Sequence, residues 1–229
     1  MLRRSLLAGS LILTIIITGC ATHSPFKVSQ EQFFAKTKVI ALVPIWVPYE
    51  LQDPEPVKVK FESMIEGKLR DAGFLIIPSQ EYSEIYKRMT DQMGGPHELT
   101  CRELCTKYKV DAFLYPSIDV VTAEWVNGLA TWWGTSESLE PIGQSLLKGL
   151  FIGSSSGTVP ALVLSVIIKD INGENLYIDR GGIQVLSKIS GIKKFVPVPR
   201  DELFVNEEKN SKAVNLALEE LIKKPISPK

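Results

Sequence analysis

The sequence predicts an α/β fold: a mixed sheet, parallel in its first half and antiparallel at a hairpin in its second, with helices packed on it. Three observations predict it. Short runs rich in Val and Ile alternate with stretches of helical period over residues 38–121, the pattern of parallel strands joined by helices. A long β-rich run at 161–170 is followed by Asn172-Gly173, the strongest short hairpin signal. An apolar helical face then recurs near the C-terminal end, at Val214, Ala217, Leu218, Leu221 and Ile222.

Each element follows from local chemistry. Residues 38–47 (KVIALVPIWV) form a continuous apolar run, as a strand buried on both faces requires. Pro44 lacks a donor, so the ladder is expected to break near it, at an edge or a bulge. A loop over 48–56 leads to a helix whose face carries Val57, Phe61, Met64, Ile65, Leu69 and Ala72, with Gly73 as its C-terminal cap. Residues 74–77 are a short buried strand. Ser79 then caps a second helix bearing Tyr82, Ile85, Tyr86 and Met89. After a loop over 91–98, Thr100 and Glu103 form a capping box for a helix that holds Cys101 and Cys105, and a strand follows at 112–121. Strand 161–170 pairs with 176–179 through an expected two-residue type I′ turn, whose positive φ at both central positions Asn172 and Gly173 tolerate, and 183–186 extends the sheet. The last helix spans 207–223, stopped by Pro225.

The N-terminal end has a different character. Arg3 and Arg4 precede an apolar run over 6–17, the layout of a secretory signal, and too short for a comfortable membrane span. The run ends in Ile17-Thr18-Gly19-Cys20, which resembles the bacterial lipobox. That resemblance implies cleavage before Cys20, diacylation of its thiol and acylation of the new amino terminus. Several acyl chains anchor stably where one is marginal. Ala21, in a position where diderm lipoproteins retained at the inner membrane carry aspartate, implies sorting to the outer membrane, with the domain in the periplasm. The organisation expected is a signal peptide at 1–19, a lipidated tether at 20–36, one α/β domain at 37–224 with an insertion at 122–160, and a disordered tail at 225–229.

Composition narrows the function classes. Lys plus Arg equals Asp plus Glu, 26 each, so no strong attraction to nucleic acid or acidic lipid is expected. Beyond Cys20, only Cys101 and Cys105 remain. An envelope compartment permits a disulfide, but side chains four apart on one helical face run parallel and suit one poorly. Fraying of the first turn would allow it, so a bridge and a pair of packed thiols are both open. Met93, His97 and Cys101 recur at intervals of four, a spacing at which soft ligands bind copper or zinc, but Gly94-Gly95-Pro96 interrupts the helix between the first two. No metal and no cofactor is therefore expected.

The order of four segments resembles a broad group of envelope lipoproteins: curli-secretion channel subunits, lipoprotein activators of peptidoglycan synthases, and the amino-terminal domain of the Tol-system translocation protein. The segments are 39–44 (VIALVP), 69–74 (LRDAGF) leading to Ile77-Pro78, 110–114 (VDAFL) and 166–177 (VIIKDINGENLY). The chain most resembles the less characterised lipoproteins of that group. The resemblance implies an αβ fold, no catalysis, and work through contacts with other envelope proteins or further copies of itself.

The insertion at 122–160 carries Trp125, Trp132 and Trp133, three of the four tryptophans, and the run 153–157 (GSSSG). Long loops are commonly functional, and tryptophan suits protein and membrane interfaces as well as cores. The three are expected either to form a contact surface or to pack over one end of the sheet. In curli subunits inserted hairpins build a membrane barrel, which makes a pore-forming secretion subunit the alternative. However, 124–134 does not alternate as a spanning strand should, and 142–151 repeats at helical offsets, so a helical or loop-like surface is expected. Catalytic motifs are absent from the sequence: His23 and His97 are its two histidines, and Gly181-Gly182 is too short for a phosphate cradle. Glu124, Glu137 and Glu140 near the tryptophans leave a glycan-acting enzyme as the third reading.

Overall fold

The computed structural model describes residues 24–48, 50–51, 54–82, 97–139, 156–190 and 194–223. In chain order the elements are α1 (Gln30–Lys36), β1 (Val39–Leu42), α2 (Pro54–Asp71), β2 (Leu75–Ile77), a 3-10 turn (Ser79–Tyr82), α3 (His97–Tyr108), β3 (Ala112–Val126), β4 (Leu129–Trp132), β5 (Thr135–Ser138), β6 (Ser156–Asp170), β7 (Asn175–Val185), β8 (Ser187–Ser190), β9 (Lys194–Pro197), a second 3-10 turn (Arg200–Glu202), α4 (Glu207–Ala217) and α5 (Glu219–Ile222). No helix among the described residues is long and apolar enough to cross a membrane.

The sheet is mixed, as the sequence predicts. β1 lies between β2 and β3 and is parallel to both, with Ile40 opposite Ile76 and Ala112. β3, β6 and β7 then run antiparallel; β3 and β6 pair in unbroken register from Ala112↔Asp170 to Val126↔Ser156, while the β6–β7 ladder shifts between Leu162 and Val163 and again between Ile168 and Lys169. Pro44 interrupts pairing where its missing N–H predicts. The β1 ladder ends at Leu42, and the chain rejoins β3 at the bridge between Trp46 and Ser117.

One face of the sheet holds the main core. Ile40, Leu42, Leu114, Ile118, Leu164, Val166 and Ile168 pack beneath Phe61, Ile65 and Leu69 of α2 and Val214, Leu218 and Leu221 of the C-terminal helices. The opposite face is covered in two parts. Near the parallel strands, Ala41, Val43, Ile77 and Phe113 meet Tyr82, Leu104 and Val110. Farther along, Ala123, Val159, Ala161 and Val163 meet Ala130, Trp132, Leu139, Val185 and Ile189. The buried Glu62 of α2 joins loops at the ends of β1 and β2. It accepts from Ile45 N at 2.9 Å and Ser79 Oγ at 2.6 Å. A buried carboxylate needs such donors to offset desolvation.

Five local expectations are corrected. The sheet does not stop at Thr122. β3 runs on to Val126, and the described part of 122–160 is a meander, β3-β4-β5, rather than a helical or loop-like surface. Its alternation is hidden in β4 because an apolar Leu129 is exposed and a small Ala130 is buried, although Thr131 is exposed and Trp132 buried as the pattern requires. Residues 24–36 do not read as a free tether. Phe26 bridges Tyr177 on the β7 edge, Ser29 caps α1, and Phe33 is 1% exposed. The final helix is broken at Leu218, whose φ of −113° and ψ of 6° leave helical geometry. Thr100 lies inside α3, which begins at His97.

The fifth correction concerns the Asn172-Gly173 turn. Asp170 N donates to Glu174 O at 2.9 Å, so three residues, not two, form the loop. Gly173 has φ 85°, whereas Asn172 is not among the positive-φ residues. This is a type I turn closed by a left-handed glycine. Asp170 Oδ1 accepts from the N–H groups of Asn172 and Glu174, which favours the longer loop. The geometry expected there occurs instead at Asn127-Gly128, with φ of 50° and 80°, between the paired Val126 and Leu129. Ile85, Tyr86, Met89 and the offsets over 142–151 lie outside the described residues.

Candidate functional site

The outer edge of β7 is where the chain brings together parts remote in sequence. Near the start of β7, Lys27 N donates to Leu176 O and Ile178 N donates to Pro25 O, both at 2.9 Å. Residues 25–27 therefore run antiparallel to β7. Farther along the same edge the β4–β5 turn takes over. Gly182 N donates to Trp133 O at 3.1 Å, and Thr135 Oγ1 donates to Gly182 O at 2.9 Å. Glu137 completes the closure: one carboxylate oxygen accepts from Val185 N at 3.0 Å and the other pairs with Lys209 of α4. The far end of the sheet is thus rolled over, and side-chain hydrogen bonds replace a ladder between β5 and β7.

Glycines make this approach possible. A Cβ on Gly181 would lie 2.0 Å from Ala213 O, so α4 rests directly on the β7 backbone. A Cβ on Gly182 would lie 2.8 Å from Trp132 Nε1. Gly181-Gly182 is a packing device on both faces of one strand rather than a phosphate site.

The tryptophans of 122–160 separate into three environments. Trp132 is 6% exposed, and its indole N–H donates to Leu162 O at 3.0 Å. It belongs to the core of the roll. Trp125 is half-buried, with its ring 5.8 Å from that of Phe195. Trp133 is 47% exposed and caps the Arg180 guanidinium, 4.9 Å from the ring centroid. Its φ is 38°, left-handed, which costs a bulky side chain about 1–3 kcal/mol. The Gly182 hydrogen bond and Arg180 hold it there. Arg180 makes no ion pair among the described residues. Sequence reasoning missed Arg180. The one signal for this turn was Trp133-Gly134 between two short β-prone stretches, which needs positive φ at both positions.

The other candidates are dispersed. Glu124 lies in register with Thr131 and Ser136, while Glu137 lies in register with Ala130 and Trp125, so the two carboxylates occupy opposite faces of the sheet. Glu140 lies outside the described residues. Cys105 is a half-buried free thiol, and burial, then the charge of Asp111, push it up. The side chains of Cys101 and His97, and Met93 altogether, lie outside the described residues, as does Cys20. Among the described residues no group of three or more His, Cys, Asp or Glu is placed to hold a metal ion.

No protein-family model matches the chain, and no curated protein matches it. Several solved structures are similar in outline. Lipoprotein GNA1162 from Neisseria meningitidis shares 15% identity at a TM-score of 0.34, over 65% of this chain and 81% of that one. A PelC dodecamer from Paraburkholderia phytofirmans shares 12% at 0.37, over 81% and 88%. The hypothetical protein CT253 from Chlamydia trachomatis shares 12% at 0.37, over 83% and 94%.

Proposed function

We propose that this chain is a non-enzymatic envelope lipoprotein, cleaved and acylated at Cys20, held at the outer membrane, and active through contacts with other envelope proteins or further copies of itself. One observation carries the reading. The Ile17-Thr18-Gly19-Cys20 sequence ends five residues before Pro25, where the chain is already hydrogen-bonded to β7. Lipid and domain are thus coupled by a segment that spans at most about 18 Å. An anchor this short holds a domain against its membrane, which suits a role in assembly or transport at that surface. The contact role is supported by exposed apolar side chains at the rolled end of the sheet: Val126, Leu129 and Phe195.

Photo-crosslinking in intact envelopes tests the contact role. With the crosslinker at position 129 or 195, discrete adducts with envelope proteins or with a second copy are expected. Absence of any adduct at both positions, with the protein present in the membrane fraction, would defeat it. The size of the detergent-extracted protein separates a ring, many times the monomer mass, from a monomer that recruits partners.

A further inference from the structure

The geometry points to Trp133 and Arg180 as a membrane-contact element: the indole lies in the headgroup region of the leaflet that holds the Cys20 acyl chains, and the guanidinium beneath it meets lipid phosphate. This rests on the lipid-anchor reading and adds to it an orientation for the domain.

Three observations converge. The first is direction. Phe26 lies antiparallel opposite Tyr177, with Pro25 beside Ile178 and Lys27 beside Leu176, so the described chain enters this pairing from the Gly182 end. The second is distance. Pro25 sits beside Ile178, and Gly182, which carries the Trp133 turn, is four residues farther along the same edge, about 13 Å. The acyl attachment point is within about 18 Å of Pro25. The leaflet surface and the Trp133 turn are therefore on the same side and within reach of each other. The third is chemistry. Trp133 holds an indole outward, 47% exposed, on a left-handed backbone, although an Asn or Gly would make the same turn without strain. Indole is enriched at the membrane–water interface because it has an apolar body and a polar N–H. Arg180, stacked under it without an ion pair among the described residues, leaves its fork of donors for phosphate oxygens.

A second protein is the competing occupant. The lipid surface is favoured because the anchor delivers this edge to it in every molecule, whatever else the domain binds.

The test uses the acylated full chain in phosphatidylethanolamine–phosphatidylglycerol vesicles, with and without a brominated phospholipid that quenches nearby indoles. Wild type is compared with Trp133→Phe and with Trp133→Asn, which suits the left-handed φ and preserves the turn if Phe does not. The difference between wild-type and variant emission isolates Trp133. That component should be blue-shifted on reconstitution and quenched severalfold by the brominated lipid. Equal quenching of wild type and both variants, in vesicles with which the protein floats, would overturn the inference and leave the anchor intact. Burial of the indole only when another envelope protein is added would overturn it in favour of a protein partner. Failure of the wild type to float, or flotation of Cys20→Ala equal to wild type, would remove the anchor and this inference with it.

Discussion

Replacing Gly181 with Ala should be strongly destabilising. The added Cβ would stand 2.0 Å from Ala213 O and 2.8 Å from Ala213 C, whereas ordinary contact begins at 3.4 Å. These are backbone atoms of a helix, so no rotamer change relieves the clash. α4 would have to retreat by about 1.4 Å to restore ordinary contact. Gaps of about 0.5–1 Å already forfeit a quarter to a half of each dispersion contact. The retreat would loosen Ala213, Val214 and Ala217, all fully buried. Overpacking typically costs about 1–3 kcal/mol, and the upper end or more is expected here. The restriction that Ala places on the unfolded chain offsets only about 0.4–1 kcal/mol. For a chain of this size, a loss of about 3 kcal/mol lowers Tm by roughly 6–12 °C. Gly67→Ala is the matched control. Gly67 is exposed inside α2 with nothing within 4 Å of its Cβ position, so this change should stabilise by about 1 kcal/mol. Opposite shifts of the two melting curves are predicted. A Gly181→Ala protein that melts with wild type would refute the close helix–strand approach at the β7 edge.

Trp132→Ala should cost about 3–5 kcal/mol, because it empties a buried site and orphans the Leu162 carbonyl, while Trp133→Asn should leave the melt unchanged or slightly raised; denaturant titration of both variants checks the contrast. Asp179 has a carboxyl pushed above its ordinary range, first by burial and then by Glu219 and Glu220, against the Arg180 N–H and the Tyr177 hydroxyl, which lower it. The folded state therefore binds that proton more tightly than the unfolded state, so the Asp179 contribution to stability increases as pH falls from neutral toward about 4. Asp179→Asn should be more stable than wild type at neutral pH, and the gain should shrink on acidification; a gain independent of pH would contradict the assignment.

How much of this was legible in the sequence depends on which force decides each element. β1, α2 and β2 were legible because burial dictates them: Ile40, Phe61, Ile65 and Leu69 repeat at strand or helix period and all lie in one core. Segment 24–36 was not, because its order comes from tertiary contact. Phe26 and Phe33 lie in a largely polar stretch, and they become core only when Tyr177 and Phe74 are placed beside them. The roll was hidden for a related reason. Ala123, Ala130 and Ala161 face inward because three strands crowd there, so hydropathy understates their burial. Asn172-Gly173 carried the right signal with the wrong loop length, since the Asp170 carboxylate selected the wider turn. The Trp133–Arg180 stack joins residues 47 positions apart and has no local signature at all.

Metabolic labelling with a clickable palmitate analogue, followed by membrane fractionation, tests the central claim most directly. Wild-type chain should carry the label and remain with the membranes, and Cys20→Ala should lose the label and the membrane association together. Label retained on Cys20→Ala, or an unlabelled wild type, would contradict the account that a lipid on Cys20 holds this domain at its membrane.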